Sequence, residues 1–160
     1  MSVIKVGMAD LKVCKAPDSL TTLGLGSCVG IAIYDKRTKI AGLAHIMLPS
    51  SKEIRNNANK AKFADTALDI LIGELEKMGV RKSQLQAKIA GGAQMFSFNT
   101  NNDVLKVGQR NVIATKKKLK ELGIRIVAED TGGNYGRTIE LDPTTGYLLI
   151  KTIGSGTSII

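Results

Sequence analysis

The chain holds one His, His45, and two Cys, Cys14 and Cys28. Cys28 and His45 lie in one stretch, residues 22–49, which reads TLGLGSCVGIAIYDKRTKIAGLAHIMLP. A thiol beside an imidazole is the minimal nucleophile–base pair: the ring takes the thiol proton, and the thiolate attacks. Gly24, Gly26 and Ser27 precede the Cys. Glycines there let a substrate backbone come close and leave main-chain N–H groups free to face a developing oxyanion. The plainer alternative is that Cys28 is a small buried hydrophobe and His45 a structural side chain. Cys14 has no His or acidic residue flanking it as a reactive thiol needs, and reads as a packed structural thiol.

Positioning decides between these readings. Two apolar runs, residues 28–34 and 40–47, flank the polar segment 35–39 and are too short for helices, so they read as a β-hairpin. With Lys36 and Arg37 at the centre of the turn, or with a four-residue loop 35–38, cross-strand partners sum to 73. Ile33 then faces Ile40, Val29 faces Ala44, and Cys28 faces His45. Directly opposed residues share a face, with Cβ atoms about 4.5–5.5 Å apart. Gly30, Ala32 and Ala41 share the Cys–His face and leave room in front of it. Val29, Ile31, Ile33 and Ile40 take the other face and belong in a core. Upstream, Thr21 and Thr22 must point to opposite faces of a strand, so one of them can reach His45; alternation alone does not choose.

Five motifs extend the pattern. Thr-Leu-Gly-Leu-Gly-Ser-Cys at 22–28, Ala-His-Ile-Met-Leu-Pro at 44–49, Ala-Asp-Thr-Ala at 64–67, Gly-Gly-Ala-Gln-Met-Phe at 91–96 and Glu-Asp-Thr-Gly-Gly at 129–133 occur in this order over nearly the whole chain. Together they resemble the chemoreceptor glutamine deamidases, the CheD family of bacterial and archaeal chemotaxis. The resemblance implies a cysteine-hydrolase-like site acting on glutamine side chains of methyl-accepting chemotaxis receptors, through a thioester, with release of ammonia. It implies Cys28 as nucleophile, His45 as base and Thr22 as the residue that orients the imidazole. Gly26, Ser27, Gly91 and Gly92 would shape the substrate and oxyanion pocket. No metal or cofactor is implied. The implied partners are receptor cytoplasmic helices and a CheC-type phosphatase. The competing expectation is a largely non-catalytic adaptor regulating that phosphatase, against which the intact Cys–His pair argues.

Composition narrows the class. At 160 residues, 43% apolar and 23% charged, the chain fits one globular domain with a real core. No run of 18 apolar residues suggests membrane insertion, and no secretory signal is expected, so the thiols should be reduced and the location cytoplasmic. One His and two Cys without Cys-x-x-Cys spacing fall short of a zinc site. Lys and Arg outnumber Asp and Glu by 23 to 14. With 4% aromatics, no Trp and no nucleic-acid motif, this balance suits an acidic protein partner better than a nucleic acid.

Around the hairpin, strands are expected at 3–6, 11–15, 85–90, 124–128, 137–141 and 147–153, with residues 19–25 leading into it. Helices are expected at 61–78, apolar at Ala64, Ala67, Leu68, Leu71, Leu75 and Met78, and at 108–122, apolar at Val112, Leu119 and Leu122. Lys116, Lys117, Lys118 and Lys120 read as a solvated face. The loop 50–60 follows His45 closely and is placed to line the site. Met95 and Phe96 could pack behind the Gly91-Gly92 turn or meet a partner. Residues 154–160 read as a loose tail, in which Ile159 and Ile160 could dock. Strands cluster at both ends with helices inserted singly. The expected fold is α+β: mixed or antiparallel sheets packed as a β-sandwich, with helices outside.

Overall fold

The β-branched and small apolar residues of 29–46 form two strands in which every side chain is buried, β4 (Val29–Asp35) and β5 (Ile40–Ile46). A strand covered on both faces is a near-continuous apolar run rather than an alternating one, so these two lie at the centre of the molecule. The computed structural model describes residues 1–53, 58–95 and 106–160. Around the central pair stand β1 (Val3–Lys5), β2 (Asp10–Lys15), β3 (Ser19–Leu25), α1 (Ala64–Lys77), β6 (Gln86–Gly91), α2 (Val107–Glu121), β7 (Arg125–Thr131), β8 (Arg137–Asp142), β9 (Tyr147–Thr152) and β10 (Gly156–Ile159).

The strands form two five-stranded mixed sheets. One has the order β1-β3-β8-β9-β10, the other β2-β5-β4-β6-β7. In each, one edge pair is parallel: β1 with β3, and β6 with β7. The second sheet is the middle layer. One of its faces, with Val29, Ile31, Ile33 and Ile46, packs on Ala67, Leu68, Leu71 and Leu75 of α1 and Leu119 of α2. Its other face, with Cys28, Ala32, Tyr34, Ala41 and Leu43, packs on Leu20, Leu25, Ile139, Leu141, Leu148 and Ile150 of the first sheet. The α+β sandwich with outer helices is therefore the observed architecture.

Three expectations change. The hairpin register sums to 75, not 73: Asp35 pairs with Ile40, Ile33 with Gly42, and Gly30, not Cys28, with His45. The reason is Asp35, which stays in the strand and organises the turn. Its carboxylate accepts from Arg37 N (3.0 Å) and Thr38 Oγ1 (2.9 Å), its carbonyl from Lys39 N (2.9 Å), and Lys39 takes the left-handed conformation at φ +57°. A slip of two residues preserves the faces, so Cys28 and His45 remain on one side of the sheet. The second change is the tail. Residues 156–159 form β10 against β9, and Ile160 exchanges both main-chain hydrogen bonds with Leu148. Buried Lys88 adds a bond to Ile160 O (2.9 Å) and one to Gly146 O (2.7 Å). Third, the first helix starts at Ala64, because 60–62 is a single 3₁₀ turn capped by Asn59.

Candidate active site

Cys28 lies on the short connection that carries the chain from β3 in one sheet to β4 in the other. His45 sits on β5, one strand over, opposite Gly30 and on the same face as Cys28. Thr22 comes from β3 in the facing sheet. Three residues from two sheets thus converge on the interlayer space.

The threonine question resolves geometrically. Thr21 turns away and gives its hydroxyl proton to Ile139 O (2.7 Å). Thr22 Oγ1 lies 2.7 Å from His45 Nδ1 and 2.7 Å from Val6 O. A carbonyl can only accept, and a hydroxyl has one proton to give. Thr22 therefore donates to Val6 and accepts from His45, which fixes the ring as the Nδ1–H tautomer. Nε2 then carries the lone pair. It is buried and has no hydrogen-bond partner. An unpartnered basic nitrogen costs free energy inside a fold, and this one belongs to a side chain on the same face of the sheet as Cys28.

Burial sets the protonation states. It holds the His45 imidazole below its ordinary value of 6.5, so the ring is neutral at pH 7. It raises the Cys28 thiol above 9.0, partly countered by the Cys28 main-chain N–H. The resting pair is a neutral thiol and a neutral base, not a preformed ion pair. Both are buried, Cys28 8% exposed and His45 1%. Cys14, by contrast, is buried and pushed up to about 11 by burial and by Asp18, and so is inert.

The backbone around Cys28 divides into committed and uncommitted N–H groups. Gly26 N donates to Gly24 O (3.1 Å), whereas Ser27 and Cys28 N–H make no main-chain bond among the described residues. Over Gly26 to Cys28, the stretch expected to hold an oxyanion, these two N–H groups are the ones without a main-chain partner among the described residues. Gly91 and Gly92 pack against the Cys28 main chain. Gly92 N donates to Cys28 O (2.8 Å), and a Cβ on Gly91 (φ +108°) would stand 2.3 Å from that same oxygen. The Gly92 N–H and the space above Gly91 are thus taken up by the Cys28 carbonyl, while Gly92 also borders a cleft of about 270 Å³ with Gln94, Thr131, Gly132 and Gly133. Met95 rests on Gly26, its Cγ 3.2 Å from where a Cβ would stand; Phe96 lies outside the described residues.

Two buried polar residues were not signalled as part of the site by the residue-type search. Asn111 of α2, fully buried, gives its amide protons to Ser27 O (2.9 Å) and Met47 O (3.0 Å). Arg137 of β8, also fully buried, pairs with Asp130 (3.0 Å), donates to Gly132 O (2.9 Å) and stacks on Tyr135. Alternation with buried Ile139 and Leu141 could have placed Arg137 inward, and the 111–115–119 spacing could have placed Asn111 with Leu119. Of the loop 50–60 expected to line the site, residues 54–57 lie outside the described residues. Pro49 to Lys52 line a cleft of about 520 Å³ with α1 and α2, which Cys28 and His45 do not border. The described residues contain no cluster of three or more His, Cys, Asp or Glu able to hold a metal, and no helix long and apolar enough to cross a membrane.

The sequence comparisons agree on one family. The family model described as CheD chemotactic sensory transduction matches residues 47–152. A probable chemoreceptor glutamine deamidase CheD of Lachnoclostridium phytofermentans is 62% identical over 95% of this chain and 94% of its own. Its counterpart in Caldanaerobacter subterraneus is 61% identical over 99% and 98%. The chemoreceptor glutamine deamidase CheD of Halalkalibacterium halodurans is 57% identical over 96% of both. A crystal structure of a Neisseria meningitidis DUF152 protein aligns with TM-score 0.49 and 12% identity, over 84% of this chain and 63% of that one.

Proposed function

Because the chain belongs to the CheD family, we propose that it is a chemoreceptor glutamine deamidase working through Cys28, His45 and Thr22. The observation that carries the reading is the free Nε2 lone pair of His45, fixed by Thr22 and turned to the face that holds Cys28.

His45 Nε2 takes the Cys28 proton, and the thiolate adds to the carbon of a glutamine side-chain amide. The new oxyanion accepts from the uncommitted Ser27 and Cys28 N–H groups. Protonated His45 gives its proton to the amide nitrogen, the C–N bond breaks, and ammonia leaves. The acyl group stays on Sγ as a thioester. Water then loses a proton to Nε2 and adds to the thioester carbon; the thiol departs with that proton, leaving glutamate. Thr22 holds the ring and stabilises the imidazolium with less electrostatic help than a carboxylate would give. The product gains one negative charge on a receptor helix in the cytoplasm. A CheC-type phosphatase docking over the same pocket would compete with that helix.

The test is ammonia release from a receptor cytoplasmic fragment, with mass spectrometry following a gain of about one dalton for each amide replaced by acid. Cys28→Ala and His45→Ala should each abolish both signals while the fold persists. Full activity in Cys28→Ala would end the mechanism and leave the adaptor reading, in which phosphatase binding alone survives.

A further inference from the structure

The β4–β5 ladder ends at Val29 and Ile46. Continued regularly, it would leave Cys28 and Met47 facing each other without main-chain bonds and join Ser27 to Leu48, but that rung is not made among the described residues: Leu48 N turns to Lys62 O (3.1 Å), and Ser27 N makes no main-chain bond. The strand that bears the base and the loop that bears the nucleophile therefore lose their main-chain pairing at the rung next to Cys28. One side chain bridges the gap. Asn111 Nδ2 donates to Ser27 O and to Met47 O, one residue before the nucleophile and two after the base. Its other amide atom, Oδ1, is buried without a partner. The amide is therefore held by its two donors alone. Gly108 lets α2 come this close: a Cβ there would stand 2.3 Å from Ala93 O.

We propose that Asn111 is a positioning residue that takes over from the ended ladder and holds the Cys28 loop at working distance from His45. This rests on the deamidase reading. It touches neither substrate nor the reacting atoms. It acts by keeping two carbonyls, and the segments behind them, in one place. A displacement of about 1 Å at a reacting pair lowers the rate by roughly 10²-fold.

Asn111→Asp keeps the volume and removes both donors; Asn111→Ser keeps one. In the aspartate variant kcat on the receptor fragment should fall about 10²-fold, with KM within about threefold, because the substrate surface is untouched. The serine variant should lie between it and the parent, and decides the matter if the aspartate variant does not fold. A second readout needs no receptor: alkylation of Cys28 by iodoacetamide across pH, in a Cys14→Ala background. The rate near neutral pH should fall in both variants, and the fall should vanish when His45 is already Ala, since residues that act as a unit are non-additive. Parental kcat and alkylation in folded Asn111→Asp or Asn111→Ser would overturn the proposal, as would an equal fall with and without His45. If the parent releases no ammonia but the alkylation pattern holds, the positioning stands and the deamidase reading fails.

Discussion

A single hydroxyl proton decides the chemistry of this site. Thr22 gives it to Val6 O and so can only accept from His45, which leaves Nε2 basic. Thr22→Val removes the acceptor and frees the tautomer; kcat should fall about 10²-fold while Thr22→Ser stays near the parent. The parent's pH–rate profile should be a broad plateau. On the acid side, activity is lost as pH falls through the His45 value, which burial sets below 6.5. On the alkaline side, it is lost above 9.0, when Cys28 ionises and the pair no longer holds the proton the leaving nitrogen needs. The linked stability has the same sign at the acid end. The unfolded chain takes the proton first, so stability from the neutral ring is present above about 6.5 and lost as pH falls through the folded value. An acid limb centred above pH 6.5 in a titration of ammonia release would contradict this. Cys28 and His45 were legible in the sequence because each residue type is scarce and chemically distinct, and the two candidate threonines by their place in the strand leading to Cys28. Asn111 was not, since an Asn on a Lys-rich helix reads as solvated until the burial of Gly108, Thr115 and Leu119 on its face is known.

The elements were legible to within a few residues, and their failures share a cause. The hairpin register missed by two because apolar runs fix which face a side chain takes, while the turn fixes the count. Asp35 looks like a turn residue, and it does serve the turn, but from inside β4. The tail was misread because Gly154, Ser155 and Gly156 suggest slack; what orders it is Leu148 and Lys88, both distant in sequence. The same level holds the sharpest backbone constraint. Gly91 brings β6 against the Cys28 carbonyl at φ +108°. Gly91→Ala combines a strained dihedral with a main-chain clash and should cost about 3 kcal/mol. The denaturant midpoint should drop with unchanged slope, and activity should fall further than stability because Cys28 itself is pushed.

At the level of the whole molecule, the formal charge of +9 favours encounter with an acidic receptor surface. Raising ionic strength from about 0.01 M to about 0.15 M shortens the screening length from about 30 Å to about 8 Å. Deamidation of a receptor fragment should therefore lose kcat/KM with salt and keep kcat; a salt-independent kcat/KM would show that the charge plays no part in encounter. The layer order was legible in outline, since strands at both ends with single helices between them exclude a repeated βαβ array. Which sheet each strand joins was not, because β3 and β4 are adjacent in sequence and part company at Gly26 to Cys28.

That parting has a safeguard built into it. The sulfur travels with one sheet's entrance, the ring with that same sheet, and the hydroxyl that tunes the ring with the other. A chain caught half-assembled, or one whose layers have briefly come apart, owns a thiol but no tuned partner to ionise it. On the proposed mechanism, the ring is tuned only once the two sheets are docked.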